Sequence, residues 1–117
     1  MSPSPSSIQV QVCHASPAGY VPALTGIARK TMGVGAHTLL AEFKLAKDAV
    51  IPAHSHPQEQ TGYLVSGHLR FVIAGVEHEA RAGDSWTIPG GVEHGVNVLE
   101  DSVAIEVFSP VRDDYRK

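Results

Sequence analysis

The chain has 117 residues, enough for one domain around one core, and its 43% hydrophobic and 18% charged content is that of a packed globular protein rather than a disordered one. Its formal charge is −3, with 9 basic residues dispersed along the chain, so no electrostatic footprint for nucleic acid or for an anionic membrane surface is present. Cys13 is the single cysteine, which excludes an intrachain disulfide and fits a reducing, cytoplasmic setting.

Residues 1–7 are rich in Ser and Pro, lack a basic start and lead into no long apolar run. They are expected to form a loose tail, neither signal peptide nor membrane anchor, ahead of a single domain over residues 8–117. Across most of that domain apolar residues recur with a period of two, and no window carries a helical stripe longer than a few turns, so the chain reads as all-β. In residues 37–47, Leu39, Ala41, Phe43 and Leu45 share one face of a strand. A turn at Ser66-Gly67 is followed by alternation over residues 68–74, with Leu69, Phe71 and Ile73 on one face. Residues 76–81 return as a polar strand, Ala82-Gly83-Asp84 turns, residues 85–88 form a short strand, and Pro89-Gly90-Gly91 turns again. Two last strands are expected over residues 92–99 and 103–108, separated by a polar turn at Glu100-Asp101-Ser102. Short strands punctuated every eight to twelve residues by Gly and Pro predict about eight antiparallel strands in a two-sheet jelly roll. Each inward Leu, Phe or Ile contributes roughly 1.5–3 kcal/mol on leaving water.

Chemistry concentrates in Ala53-His54-Ser55-His56-Pro57-Gln58-Glu59-Gln60, together with His94 after Pro89-Gly90-Gly91-Val92-Glu93. Two histidines at i and i+2 lie on the same face of an extended chain, so both imidazoles can address one point. The next strand can add Gln60, and His94 enters from a strand distant in sequence. A lone His-x-His is weak, because surface strands carry such pairs by chance; the combination is what points to a divalent metal. His14, His37, His68 and His78 fall outside it and are expected at the surface or in turns. Cys13 is expected to be a plain buried or half-exposed thiol, and Trp86 and Tyr63 to be core residues or to line the mouth of a cavity, Tyr63 being the better candidate.

These residues resemble the two motifs of the cupin superfamily, G-x5-H-x-H-x3-E-x6-G and G-x5-P-x-G-x2-H-x3-N. His54, His56 and Gly67 match the first, and Gly83, Pro89, Gly91 and His94 the second, with the similarity running over residues 38–108. Asp48 stands where the first motif has Gly, and Asn97 arrives one residue early. The acidic ligand position holds Gln60. Glu59 is one residue short, which turns it to the other side of the strand. The resemblance implies a double-stranded β-helix holding one divalent ion on His54, His56, Gln60 and His94. Three neutral imidazoles and an amide leave the ion's charge uncompensated, so an anionic small-molecule ligand is expected; the donor set suits Fe, Ni, Cu or Zn, with Mn also possible.

The ending Phe108-Ser109-Pro110-Val111-Arg112-Asp113-Asp114 is similar to that of small cupins that convert unsaturated uronates from pectin or alginate breakdown. In those an Asp two residues before the Phe supports catalysis, and Glu106 holds the matching place. That similarity implies Glu106 as general acid or base, with Phe108 and Arg112 against the substrate; Tyr63, three residues after Gln60, is expected at the cavity mouth, against the substrate as well. The strand 103–108 carries bulky apolar residues on both faces, so its outer face is expected to be covered by a second subunit in a homodimer. Three functions stay open: metal-assisted proton transfer by a lyase, isomerase or tautomerase on a small oxygen-rich acid such as a keto-sugar acid, an Fe(II) dioxygenase, and a non-catalytic binding or sensing module.

Overall fold

The structure, a computed structural model, describes residues 10–116; the tail expected over residues 1–7 lies outside the described residues. It is all-β. Eight strands run in chain order as β1 (Val21–Leu24), β2 (Ile27–Val34), β3 (Leu39–Leu45), β4 (Val50–His54), β5 (Glu59–Ile73), β6 (Val76–Arg81), β7 (Ser85–Ile88) and β8 (His94–Ser109), followed by a single 3₁₀ turn at Asp113–Tyr115. All pairings are antiparallel. No helix of the described residues is long and apolar enough to cross a membrane.

Two strands are long, and they organise the jelly roll. The first half of β5 and the second half of β8 lie in one layer, ordered β1-β2-β3-β8-β5-β7. The second half of β5 and the first half of β8 lie in the other, ordered β4-β8-β5-β6. The turns expected at Ser66-Gly67 and at Glu100-Asp101-Ser102 are therefore absent. Those residues are the corner where β5 and β8, still paired, bend together from one layer into the other.

The physics of the corner explains why it reads as two turns. The β5–β8 register slips around Ser66 and His68, and the inward face of β5 passes from Gln60, Gly62 and Leu64 to Leu69 and Phe71, from even to odd numbers. An extra residue in one strand of a pair has this effect. Gly67 sits at φ 102, and a Cβ there would fall 2.0 Å from Ser102 Oγ. Ser102 in turn accepts a hydrogen bond from His68 N at 3.1 Å and donates to Glu100 O at 2.7 Å, so the polar residues satisfy backbone groups that the slipped ladder leaves free.

Leu39, Ala41, Phe43 and Leu45 of β3 all point inward, with Leu69, Phe71, Val96, Val98, Ala104 and Phe108 from the long strands. Asp48, in the place of the motif glycine, adopts φ 72, a backbone conformation that Asp tolerates better than most side chains. Two surface expectations need revision. Cys13 is exposed, since the segment before β1 packs little of its length against the barrel. His68 is largely covered, its side chain 13% exposed, and its Nε2 lies 3.6 Å from Glu79 on the neighbouring β6.

Candidate metal centre

His54 ends β4 and stands directly across from His94, which begins β8. His56 lies in the short link to β5. That link is pinned from behind: Gly91 N donates to His56 O at 2.8 Å, and Gly90 lies so close to Pro57 that a Cβ would fall 2.2 Å from the Pro57 carbonyl oxygen. The glycines of the Pro-Gly-Gly turn thus position a histidine more than thirty residues away. The ring centroids of His54 and His94 are 4.4 Å apart, those of His56 and His94 5.0 Å, and one nitrogen from each of the three rings lies within 4.8 Å of the others.

The hydrogen bonds fix which nitrogen each ring offers. Nδ1 of His54 lies 2.9 Å from Pro52 O, Nδ1 of His56 3.0 Å from Gln58 O, and Nδ1 of His94 2.9 Å from Val92 O. A carbonyl oxygen only accepts, so each Nδ1 carries the proton and each neutral ring presents a lone pair on Nε2. His94 is 3% exposed and its Nε2 is buried without a partner. His56 Nε2 faces Gln60 Oε1 at 3.1 Å. Two acceptors that approach so closely, beside a buried orphan nitrogen, are the arrangement a cation resolves. Burial, aided by the Arg112 charge, lowers the pKa of His56; burial lowers that of His94, with His54 and Arg112 adding to it. Neutral imidazole, the ligating form, is favoured.

Gln60 is 6% exposed on the inner face of β5, whereas Glu59 points outward. The Gln60 amide is held by Glu106, 9% exposed, whose Oε1 accepts from Gln60 Nε2 at 2.6 Å and from Trp86 Nε1 at 2.7 Å. Trp86 reaches this carboxylate by lying across Gly62. In register the row runs Trp86, Gly62, Glu106, Ala41, and a Cβ on Gly62 would fall 2.3 Å from the indole nitrogen. Burial raises the pKa of the Glu106 carboxyl, opposed by the bonds from Gln60 and Trp86 and by the Arg112 charge.

His54, His94, Gln60, Trp86 and Glu106 line a cavity of about 470 Å³. Arg112 and Tyr115 of the C-terminal segment line it as well. The Tyr115 ring packs on Phe108 at 5.3 Å and Phe43 at 6.1 Å, and Thr31 Oγ1 donates to the Tyr115 carbonyl. Arg112 lies over the Phe108 and Tyr115 rings, 5.1 and 3.8 Å from their centroids, and is bidentate to Asp114 at 2.8 and 3.2 Å.

The structure therefore brings His54, His56, Gln60, His94 and Glu106 together, with Phe108 and Arg112 beside them. Tyr63 is not in this group. It is 48% exposed on the outer face of β5, because it lies an odd number of residues from Gln60 and side chains alternate along a strand. Trp86 belongs in its place; its even spacing to the buried Ile88, and a glycine in the middle of β5, are the signals that point to it. Arg29 on β2 and Tyr115 also line the cavity, and nothing in their local sequence sets them apart.

Residues 41–109 match the family described as cupin domain. The chain is 33% identical over 92 residues to the pectin degradation protein KdgF of Dickeya dadantii, an alignment covering 77% of this chain and 84% of that protein. Among solved structures, KdgF from Halomonas sp. superposes with a TM-score of 0.85 at 29% identity, covering 91% of this chain and 98% of that one. An RmlC-like cupin from Shewanella frigidimarina also gives 0.85, at 25% identity, covering 92% and 97%. The match over most of the barrel, with the histidines converging inside it, shows that the chain belongs to the cupin family.

Proposed function

We propose that this cupin binds one divalent metal ion through Nε2 of His54, His56 and His94 and Oε1 of Gln60, and uses it in proton-transfer chemistry on a small unsaturated or keto-sugar acid. The observation that carries the reading is the Glu106 side chain: a buried carboxyl next to a proposed ligand, inside a ligand-sized cavity. The similarity to two KdgF proteins, one of them a pectin degradation protein by name, supports a uronate as the substrate class.

A divalent ion bound there would polarise the ligand oxygen coordinated to it. The rest is done by side chains. Glu106 Oε1 is engaged by Gln60 and Trp86, so Oε2 is the atom that holds or hands over the proton. Burial raises the pKa of this carboxyl, the direction a general acid needs. Phe108 and Trp86 line the cavity with apolar surface and limit water beside that proton. The test is incubation of the metal-loaded protein with an unsaturated uronate, followed by the loss of the ultraviolet absorbance of its conjugated double bond. Turnover that vanishes in Glu106→Gln supports the reading. Consumption of oxygen instead would favour a dioxygenase, and tight binding of the uronate recovered unchanged would favour a binding module.

The protein acts as a homodimer in this reading. On the outer face of the first layer, Tyr63, Val65 and Val107 are exposed and surround the half-buried Val103 and Ile105, an apolar surface that a second copy would cover. A monomeric mass by light scattering would contradict this. The exposed thiol of Cys13 is compatible with a reducing cytoplasmic setting.

A further inference from the structure

We propose that Arg29 binds a carboxylate of the ligand in the cavity that His54 and His94 also line. The inference rests on the reading of this cavity as a ligand site and adds to it the group that reads the acid.

Arg29 lies on the inward face of β2, directly across from Phe43 on β3, and lines the cavity. Its guanidinium stacks on the Tyr115 ring at 4.1 Å from the centroid, on a ring that Arg112 also covers at 3.8 Å. Two guanidinium groups therefore share one aromatic side chain, and between them they have one carboxylate. Asp114 is taken by Arg112 in a two-pronged pair. The other ion pairs of arginine among the described residues engage Arg70, Arg81 and Arg116, and Arg29 Nε is buried with no hydrogen-bond partner.

A buried donor of fixed planar geometry without an acceptor is costly unless a ligand supplies one. The group that fits is a carboxylate, which takes two parallel N–H bonds from a guanidinium. Tyr115 holds the guanidinium plane from one side, and the Thr31 bond to the Tyr115 carbonyl fixes the segment that carries the ring. Arg112, by contrast, already has its carboxylate. Its charge lies near His56 and Glu106, where it acts on the reacting end.

The part of the cavity at Arg29 and Tyr115 is thus where the acid is read. The ligand class is a compact sugar acid with an oxygen donor toward His54, His56 and His94 and its carboxylate toward Arg29.

The experiment compares D-galacturonate with D-galactose, which differ in the carboxylate, by calorimetric titration of the metal-loaded protein. The wild type is expected to bind the acid about tenfold tighter or more. In Arg29→Met, whose stem still packs on Tyr115, the two sugars should bind within about twofold of each other. Arg29→Lys, which keeps charge but not the fork, should keep part of the preference, and it decides the matter should the Met variant fail to fold. A wild type without preference for the acid would overturn the proposal, as would a preference that survives Arg29→Met or one lost in Arg112→Met alone. Acid affinity that is undiminished in metal-free protein would count against the metal reading while leaving Arg29 in its role.

Discussion

Gln60 Nε2 donates to Glu106 Oε1 at 2.6 Å, and this bond turns the amide so that its oxygen faces His56 Nε2 at 3.1 Å. An amide has one donor end and one acceptor end, so whatever takes the donor decides where the acceptor points. In the proposed function Glu106 thereby acts on the metal site through Gln60 as well as on the ligand directly. The two roles can be separated.

In Glu106→Gln the side-chain oxygen can still accept from Gln60 and Trp86, but the transferable proton is gone. Metal affinity is expected within a few-fold of wild type and turnover lost. Glu106→Ala also frees the Gln60 amide, and metal affinity should fall by about 10–100-fold, the usual effect of losing a partner that orients a ligand. Titration with a competing chelator measures both. Full turnover in Glu106→Gln would remove Glu106 from the chemistry.

Gln60→Ala should weaken metal binding, and Glu59→Ala should leave it unchanged, since the two residues face opposite sides of β5. The reverse result would show that the strand register, and with it the ligand assignment, is wrong.

Gly62→Ala places a methyl group 2.3 Å from the Trp86 indole nitrogen. The indole must move, so its bond to Glu106 is lost, at an expected cost of about 1–3 kcal/mol for overpacking. Trp86 is the only tryptophan of the chain, which makes the change directly visible as a shift in its fluorescence. An unchanged emission spectrum would contradict the placement.

The metal-free protein should lose stability as the pH falls. His56 and His94 titrate below the ordinary value of 6.5 in the folded state, first because of burial. The unfolded chain therefore takes up protons that the folded one refuses, and the contribution, complete above 6.5, is lost as the pH drops through the folded values. The raised carboxyl of Glu106 works in the other sense, adding stability at low pH and losing it as the pH rises. Denaturation midpoints of Glu106→Gln and of Glu106→Gln with His94→Gln, taken between about pH 7.5 and pH 5, isolate the histidine contribution. A slope that does not flatten when His94 is removed would contradict it.

Phe71, 3% exposed, packs on Trp86 with ring centroids 4.8 Å apart. Phe71→Ala should cost about 3–5 kcal/mol, and Phe71→Asp, which buries a charge, should prevent folding. Circular dichroism of the soluble fraction checks both.

What the sequence discloses here follows from period-two alternation and from spacing. β3 and the start of β8 are legible because one side of each is wet and the other dry, and β6 and β7 because Gly and Pro turns bound them; over residues 103–108 both faces carry apolar residues, and alternation leaves the inward one open. The convergence of His54 with His56 follows from i, i+2 geometry, while that of His94 depends on a register set by the fold. The corner at Gly67 and Ser102 misleads because a bulge uses the same Gly and Ser that a turn uses. β1, β2 and β4 are hidden by Pro22, Pro52 and a weak alternation. Arg29 and Tyr115 escape notice because their meaning is a shared stacking contact between residues 86 positions apart, which no local pattern carries. Nearness to Gln60 in sequence points to Tyr63, but the parity of the strand turns it outward.

The central claim is that three Nε2 atoms and one amide oxygen hold a single ion. It is tested most directly by the metal-to-chain ratio, measured by elemental mass spectrometry after dialysis, in the wild type and in His94→Ala. One ion per wild-type chain and essentially none in the variant is the predicted result. A wild type that holds no ion under any divalent metal offered, or a His94→Ala protein that keeps its full complement, would contradict the account.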